Sequence, residues 1–153
     1  MSKKVRLAYV GDYERRGFLY HEYEMLVGDE SVGECFLKEG DASRIMTLGN
    51  VGYYVREEHR GNAYAAAALT ELLRFVPKYN IARLVICCKA DNIASAKSCV
   101  RAGAHYDTTV TLDEKDDSYA YGTRCLKRYF LDVPDNKTKK EKTNDTVQGR
   151  SFK

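Results

Sequence analysis

The feature that most restricts the fold of this chain is a junction at Arg60 and Gly61, between an extended apolar segment and an alanine-rich helix. Residues 48–55 (LGNVGYYV) are rich in β-branched and aromatic residues, which favour a strand. Residues 62–76 then change to a helical period. One apolar stripe on this helix is formed by Leu69, Leu72, Leu73 and Val76. The junction therefore predicts a strand and then a helix whose first turn carries mostly methyl groups.

Two further strand patterns precede this junction. Residues 18–27 (FLYHEYEMLV) alternate between two faces with a period of two, which is typical of a half-buried strand. A turn at Gly28 leads into a second strand over residues 31–40, and the short connection predicts a hairpin. Residues 39–45 (EGDASRI) are expected to form a loop.

The chain after the first helix contains one more helix and three more strands. Pro77 ends or kinks the first helix, because proline cannot continue the helical hydrogen bonds. A second helix begins after a cap at Asp91 or Asn92 and ends at Gly103. The remaining strands are expected at residues 83–88, 105–113 and 121–133. This order of elements predicts an α+β fold in which helices pack against a mixed sheet.

The composition is typical of one soluble globular domain. The length of 153 residues suits a single core, and 44% hydrophobic residues exclude a disordered chain. No apolar run approaches the ~18 residues that a membrane span requires. The N-terminal residues are charged and lack the apolar stretch of a secretory leader. We therefore expect a cytoplasmic protein that has no membrane partner.

The cysteines do not form a metal site. The chain contains Cys35, Cys87, Cys88, Cys99 and Cys125. No Cys-x-x-Cys pair occurs among them and no histidine lies at ligand spacing, so no metal is predicted. Buried free thiols in a reducing compartment account for these residues.

Residues 134–153 differ from the rest of the chain in charge and hydropathy. They contain six Lys/Arg against three Asp/Glu, which accounts for the whole net charge of +3. Because Val147 and Phe152 are almost their only apolar residues, burial could not repay the entropy of ordering them. We predict a folded domain over residues 1–133 and a basic, disordered tail. Such a tail can attach weakly to nucleic acid, but a solvated terminus without a specific nucleic-acid partner is the favoured interpretation.

The junction at Arg60 and Gly61 also predicts an anion site. The first N–H groups of a helix have no intrahelical partners, and the helix dipole makes that end positive. Phosphate groups bind at such ends when small side chains allow a close approach. Gly61, Ala63 and Ala65 provide that access, and the guanidinium of Arg60 can add a charge-assisted hydrogen bond.

Two motifs resemble those of the GNAT family of N-acetyltransferases. Residues 60–65 (RGNAYA) resemble the family's Arg/Gln-x-x-Gly-x-Gly/Ala signature, and residues 91–104 (DNIASAKSCVRAGA) resemble its later Asn-x-x-Ser helix. Residues 49–53 (GNVGY) are similar to a segment that precedes the phosphate loop in small bacterial members. The chain departs from the family at Ala63, where glycine is usual, and at Ala104, where an aromatic residue often stands.

The resemblance implies a fold and a coenzyme. The fold would be a mostly antiparallel central sheet with helices on both faces, and acetyl-CoA would lie where the strand before the junction splays from its neighbour. Backbone groups of Tyr53, Tyr54 and Val55 would bind the pantetheine arm. Asn92 and Ser95 would contact the same arm or form a wall of its channel. The pyrophosphate would bind the N–H groups of Arg60, Gly61, Asn62, Ala63, Tyr64 and Ala65.

The resemblance leaves the acid and the base open. Relatives often use a tyrosine as the acid at the position that Cys99 occupies here. The Cys99 thiol could act as this acid, but a packed, inert cysteine is the favoured interpretation, and Tyr53 and Tyr54 are the alternative acids. A backbone N–H at Val51 or Tyr53 would stabilise the oxyanion. Glu34 is the favoured base. The other candidates for the base are His21, Glu22 and Glu24.

Three functional hypotheses follow. The first is an N-acetyltransferase that moves acetyl from acetyl-CoA to a primary amine of a small molecule or peptide by direct attack in a ternary complex. The second is a catalytically weak acetyl-CoA-binding regulatory module, which the missing tyrosine favours. The third gives the basic tail the main function, as a tether to nucleic acid. The acceptor amine is not predicted, and a homodimer stays open.

Overall fold

The computed structural model describes residues 4–134, apart from the side chains of Asp117 and Ser118. Within this range the strands form a four-stranded sheet of order β1-β2-β3-β4 and a three-stranded sheet of order β5-β7-β6, and neighbouring strands within each sheet are antiparallel. The strands are β1 (Arg6–Arg15), β2 (Phe18–Val27), β3 (Glu30–Glu39), β4 (Val51–Val55), β5 (Arg83–Lys89), β6 (His105–Thr111) and β7 (Cys125–Asp132). The α-helices are α1 (Ala42–Leu48), α2 (Tyr64–Leu72) and α3 (Ile93–Arg101).

Two tight hairpins build the first sheet. The predicted pairing of β2 with β3 is confirmed, with register from Leu19 opposite Glu39 to Val27 opposite Glu30. β1 was not predicted from the sequence. It joins β2 through Arg16 and Gly17, whose φ angles of 52° and 85° are those of a two-residue hairpin turn.

The prediction of a loop over residues 39–45 is wrong, because α1 begins there. Asp41 caps this helix, since its side chain accepts a hydrogen bond from the Arg44 amide at 3.1 Å. α1 continues through Leu48, so β4 starts later than expected and spans only Val51–Val55.

α2 is shorter than the predicted helix over residues 62–76. Its first residue is Tyr64, because Ala63 has the left-handed backbone conformation, with φ 62°. After Leu72 the chain continues in tighter turns, including a 3₁₀ turn over Val76–Lys78 that holds Pro77. The other helix prediction is confirmed: Asn92 caps α3, and Gly103 follows it with φ 96°.

The helices lie on both faces of the sheets. Tyr129 and Leu131 of β7 face the core shared with α2 and α3, whereas Arg128 on the opposite face of β7 donates a hydrogen bond to the Met46 carbonyl of α1 at 2.7 Å. The fully buried core side chains include Tyr23, Met25, Leu37, Leu69, Leu72, Leu84, Ile86 and Cys99. The predicted α+β class, with antiparallel strands and helices on both faces, is confirmed.

Two other predictions concern membrane spans and the C-terminal tail. No helix within residues 4–134 is long and apolar enough to cross a membrane. The predicted basic tail over residues 134–153 lies outside the described residues, except for Pro134.

Candidate active site

The site begins where the two sheets meet at Asn50. The Asn50 amide donates to the Val85 carbonyl at 2.8 Å, the Asn50 side-chain oxygen accepts from the Val85 amide at 2.8 Å, and the side-chain nitrogen donates to the Arg83 carbonyl at 3.1 Å. Beyond this junction β4 and β5 pair with other strands and not with each other. A gap therefore opens between them.

Gly49 allows this close approach. Its φ of 87° favours glycine, and a Cβ added there would lie 2.8 Å from the Val85 carbonyl oxygen. The segment Gly49-Asn50, which the sequence analysis compared with a family motif, is therefore the joint between the sheets.

The gap is part of one cavity of about 770 Å³. Its walls are β4 and residues 86–89 of β5. One end reaches the start of α2 at Arg60 and Ala63, and the other end reaches α1 at Arg44. A ligand lying in the gap can therefore contact both ends.

The end of the cavity at α2 offers unpaired amides. The first helical hydrogen bond runs from the Ala67 amide to the Ala63 carbonyl at 3.2 Å, so the amides of Tyr64, Ala65 and Ala66 have no intrahelical partner. No side chain caps this helix and no acidic residue lies in its first turn. Such an end attracts an anion.

Arg60 lies beside these amides. Its Nε donates to the Val55 carbonyl at 2.9 Å, and its guanidinium lies 5.3 Å from the centre of the Tyr54 ring. Its backbone amide already donates to the Glu57 carbonyl at 3.3 Å, so the expectation that this amide binds the pyrophosphate is not supported. The side chain of Arg60 lines the cavity and remains the contact to consider.

The cavity brings together most of the residues that the sequence assigned to the coenzyme. Asn62 is the exception: it does not line the cavity, and its side chain donates to the His59 carbonyl at 2.9 Å. Asn92 lines the cavity, while its side-chain oxygen accepts from the Ser95 amide at 3.0 Å. The predicted residues that line the cavity are Tyr53, Tyr54, Val55, Arg60, Gly61, Ala63, Tyr64, Ala65, Asn92 and Ser95.

Tyr53, Ser95 and Cys99 form a polar cluster between β4 and α3. The Tyr53 hydroxyl lies 2.6 Å from the Ser95 hydroxyl and 3.7 Å from the Cys99 sulfur. Burial raises the pKa of Tyr53, and burial also raises the pKa of Cys99 to about 11. Cys99 is fully buried and does not line the cavity, and its thiol contacts Tyr53, which does.

The candidate bases do not line the cavity. Both carboxylate oxygens of Glu34 accept hydrogen bonds from Arg56 Nη1 at 3.2 Å. The side chain of Glu34 does not line the cavity. His21 is held between Asp12 at 2.9 Å and Glu39 at 2.7 Å. Glu22 and Glu24 are also absent from the lining. The sequence therefore named bases that a ligand in this cavity does not meet.

The residues at the end of the cavity near α1 were not predicted from the sequence. Phe18 and Tyr20 of β2 and Lys38 of β3 lie on one face of the first sheet, and Arg44 of α1 covers Phe18. Lys38 is only 9% exposed. Burial, and then the nearby Arg44 guanidinium, lower the pKa of Lys38. The sequence contains only a weak signal for a buried lysine here. Lys38 lies on the same face of the alternating strand as Phe36, and a lysine in such a strand is usually interpreted as exposed to solvent.

The charge of the lining is one-sided. No Asp or Glu from the described part of the chain lines the cavity. Its charged or basic side chains are Arg16, Lys38, Arg44, His59, Arg60 and Lys89. Within residues 4–134 no group of three or more His, Cys, Asp or Glu is arranged to hold a metal ion.

Comparisons with known proteins identify the family. Residues 3–105 match the family model of the acetyltransferase (GNAT) domain. No curated protein gives a significant match. The family that the two sequence motifs suggested is therefore confirmed by an independent match over more than half of the chain.

Several solved structures have the same fold. The microcin C7 self-immunity acetyltransferase MccE, solved with acetyl-CoA and AMP, is 17% identical with a TM-score of 0.58, over 74% of this chain and 61% of that chain. An acetyltransferase from Salmonella typhimurium that modifies the N-terminal serine of ribosomal protein L7/L12 is 19% identical with a TM-score of 0.58, over 74% of this chain and 64% of that chain. RimJ of Mycobacterium smegmatis, in complex with CoA-disulfide, is 15% identical with a TM-score of 0.58, over 82% of this chain and 60% of that chain.

This chain spans less than two thirds of the length of those three proteins. At such low identity the likeness concerns the fold alone, and what each neighbour binds or modifies is a property of that neighbour. Family membership is carried by the sequence match together with the splayed strands and the uncapped α2. This chain belongs to the acetyltransferase (GNAT) domain family.

Proposed function

We propose that the protein is an N-acetyltransferase that moves acetyl from acetyl-CoA to a primary amine of a small molecule or peptide. The observation that carries this proposal is the continuous cavity between β4 and β5, which joins the free amides of α2 to the pocket beside α1. Two ligands that enter from opposite ends would meet between the strands. That arrangement suits direct transfer in a ternary complex, since it holds both reactants in one orientation.

The coenzyme would enter from the end at α2. Its pyrophosphate would bind the amides of Tyr64, Ala65 and Ala66, with the guanidinium of Arg60 beside it. Its pantetheine arm would lie along the edge of β4 that does not pair with β5, as an added strand would. The small side chains of Gly61 and Ala65 leave room for this approach.

The reaction would proceed in one exchange at the thioester carbonyl. The neutral amine nitrogen attacks the carbonyl carbon, the carbon–sulfur bond breaks, and the amine loses one proton while the departing thiolate gains one. A backbone N–H of β4, at Val51 or Tyr53, would stabilise the oxyanion. The Tyr53 hydroxyl is the proposed proton donor to the thiolate, because burial raises its pKa and keeps it protonated at neutral pH.

The proton of the amine would leave through water. No carboxylate from the described residues lines the cavity, and Glu34 is engaged by Arg56. The acceptor would therefore react as the neutral amine that is already present in solution. We expect kcat/KM to rise with pH until the pKa of the acceptor amine itself is reached.

The regulatory module remains as a second candidate, because the groups first considered as acid and base, Cys99 and Glu34, do not reach the cavity. One experiment separates the two functions. Titration calorimetry measures CoA binding, and a thiol-detection assay measures CoA release from acetyl-CoA across a panel of amines. Binding with amine-dependent release supports the transferase. Binding with no release on any amine supports the module, and no binding at all contradicts both.

A further inference from the structure

The end of the cavity near α1 holds a cluster of like charges around one aromatic ring. Lys38 Nζ lies 4.2 Å from the centre of the Phe18 ring and 5.6 Å from that of Tyr20. The guanidinium carbon of Arg44 also lies 4.2 Å from the centre of the Phe18 ring. Arg16 lines the same part of the cavity. Two cations therefore share the ring of Phe18, which is 2% exposed.

Lys38 and Arg44 lack an acidic partner among the residues that the structure describes. Within residues 4–134, neither Lys38 nor Arg44 forms an ion pair with a carboxylate. Arg44 donates to the backbone carbonyl of Arg16 at 2.8 Å, and Lys38 Nζ lies over the rings of Phe18 and Tyr20. Lys38 is 9% exposed, so burial disfavours its charged form, and no carboxylate of residues 4–134 pairs with it in return. An anion from outside the protein would supply the missing partner.

This cluster is distinct from the place proposed for the coenzyme phosphates. The Lys38 amide donates to the Asn50 carbonyl at 2.8 Å, so Lys38 lies beside the beginning of β4, where the two sheets join. Arg60 and the free amides of α2 follow the end of the same strand. A strand of five residues separates the two ends by about 16 Å. The cavity thus has two cationic ends with the reacting carbonyl expected between them.

We propose that Lys38 and Arg44 bind an anionic group of the acceptor, so that the substrate class is an amine that also carries a carboxylate or a phosphate. This inference rests on the proposed transferase function. The anion would pair with both cations while the amine points along β4 towards the thioester. Holding the acceptor by its acid group fixes the distance from the anion to the reacting nitrogen, which is how a binding contact can favour the chemical step.

The substrate test compares paired amines, one with an acid group and one without it. Amino acids are compared with their carboxamides, and phosphoethanolamine with ethanolamine, by kcat/KM per neutral amine. We expect at least one acid to exceed its neutral twin by about tenfold or more, as for hydrogen bonds to charged groups. The pair with the larger ratio of kcat/KM, acid over neutral amine, shows whether the site prefers a carboxylate or a phosphate. If kcat/KM is the same for the acid and for the neutral amine in every pair, the inference is wrong. The proposed transferase function would not be affected by that result.

The variant test assigns the preference to Lys38. Lys38→Met keeps the length and the apolar stem, and it should reduce the preference for the acid to about twofold or less. Lys38→Arg keeps the charge and should restore part of the preference. Lys97→Met, a matched change outside this cavity, should leave the preference intact. An unchanged preference in Lys38→Met, with the far-ultraviolet circular dichroism of a folded chain, would contradict the assignment.

A binding measurement separates this inference from the proposed function. If no amine is acetylated, the transferase function fails, and calorimetry of the same acids with the CoA-bound protein then decides the anion site. Binding of an acid but not of its neutral twin, lost in Lys38→Met, supports the site even without turnover. Absence of binding by every acid rejects the site.

Discussion

Asn50 and Val85 bond to each other twice across the start of the gap, once through the Asn50 backbone amide and once through its side-chain oxygen, each at 2.8 Å. Asn50 is 5% exposed, so these bonds are shielded from water. Since β4 and β5 share no ladder beyond this point, one side chain sets where the two strands begin to diverge.

Replacing Asn50 by alanine should therefore destabilise the protein. The change leaves the Val85 amide and the Arg83 carbonyl without their side-chain partners, and unsatisfied buried polar groups of this kind cost about 1–3 kcal/mol each. Urea denaturation would measure the loss in the free energy of unfolding. Asn62→Ala, at an exposed position, serves as the control and should cost about 0.5 kcal/mol or less. Equal stability of Asn50→Ala and the wild type would contradict the role of the joint.

Ala63→Gly should stabilise the protein. Ala63 has φ 62°, and an L-residue with a side chain pays about 1–2 kcal/mol for the left-handed conformation. Glycine avoids most of that cost but loses more entropy on folding, so a net gain of about 0.5–1 kcal/mol is expected. Thermal denaturation should show a higher Tm. Ala67→Gly, inside α2, is the matched control and should lower the Tm, because glycine is a poor helix former.

Arg60→Glu should weaken coenzyme binding through the phosphates. The variant places a negative charge beside the free amides of α2, where the pyrophosphate is proposed to bind. We expect the Kd for CoA, measured by calorimetry, to rise by about tenfold or more. The affinity for S-acetylpantetheine, which lacks the pyrophosphate, should not change. Arg74→Glu, after α2 and 72% exposed, should bind CoA like the wild type. A similar loss for both ligands would place Arg60 at a different part of the coenzyme.

Tyr53→Phe should lower kcat more than it changes the KM for acetyl-CoA. It removes the hydroxyl that contacts Ser95 and is proposed to protonate the thiolate. Loss of a general acid reduces rates by about 10²–10⁴-fold, and water in the cavity could replace part of that contribution. Tyr121→Phe, at an 88% exposed position outside the cavity, is the control and should retain full activity. A Tyr53→Phe variant with the wild-type kcat would assign proton donation elsewhere.

Lys38→Met should raise the free energy of unfolding at neutral pH. The pKa of Lys38 is lowered by burial, so the folded state disfavours the charged form that the unfolded chain keeps up to its ordinary pKa of 10.5. Between the lowered and the ordinary pKa the unfolded state binds more protons, and wild-type stability therefore rises with pH in that window. The advantage of Lys38→Met over the wild type should shrink across it. Denaturation curves at several alkaline pH values would measure this difference, and a constant difference would contradict the burial cost.

The regularly alternating strand β2 was predictable from the sequence, and the edge strand β1 was not. β2 has the predicted bounds, Phe18–Val27, because its alternation places His21, Tyr23 and Met25 in the interior. β1 escaped prediction because, as an edge strand, it buries only Leu7 and carries polar residues on both faces. Its turn also gives a weak signal, since Arg16 adopts a positive φ that usually indicates glycine or asparagine.

The lining of the cavity near α2 was largely predictable, because its residues are close together in the sequence and their spacing reflects a helix start. The lining near α1 was not. Lys38 and Arg44 meet at Phe18, twenty or more residues earlier in the chain, only through the register of β2 with β3 and the position of α1. Glu34 likewise meets Arg56 through strand pairing, which no local pattern reveals.

The turn between β1 and β2 bears on the proposed acceptor. Arg16 and Gly17 reverse the chain in two residues, and Arg16 lines the cavity at the end where Lys38 and Arg44 lie. A two-residue turn provides no long loop to fold over an acid group held there. Selectivity of the proposed enzyme would then come from the spacing between the acid and the amine of the acceptor.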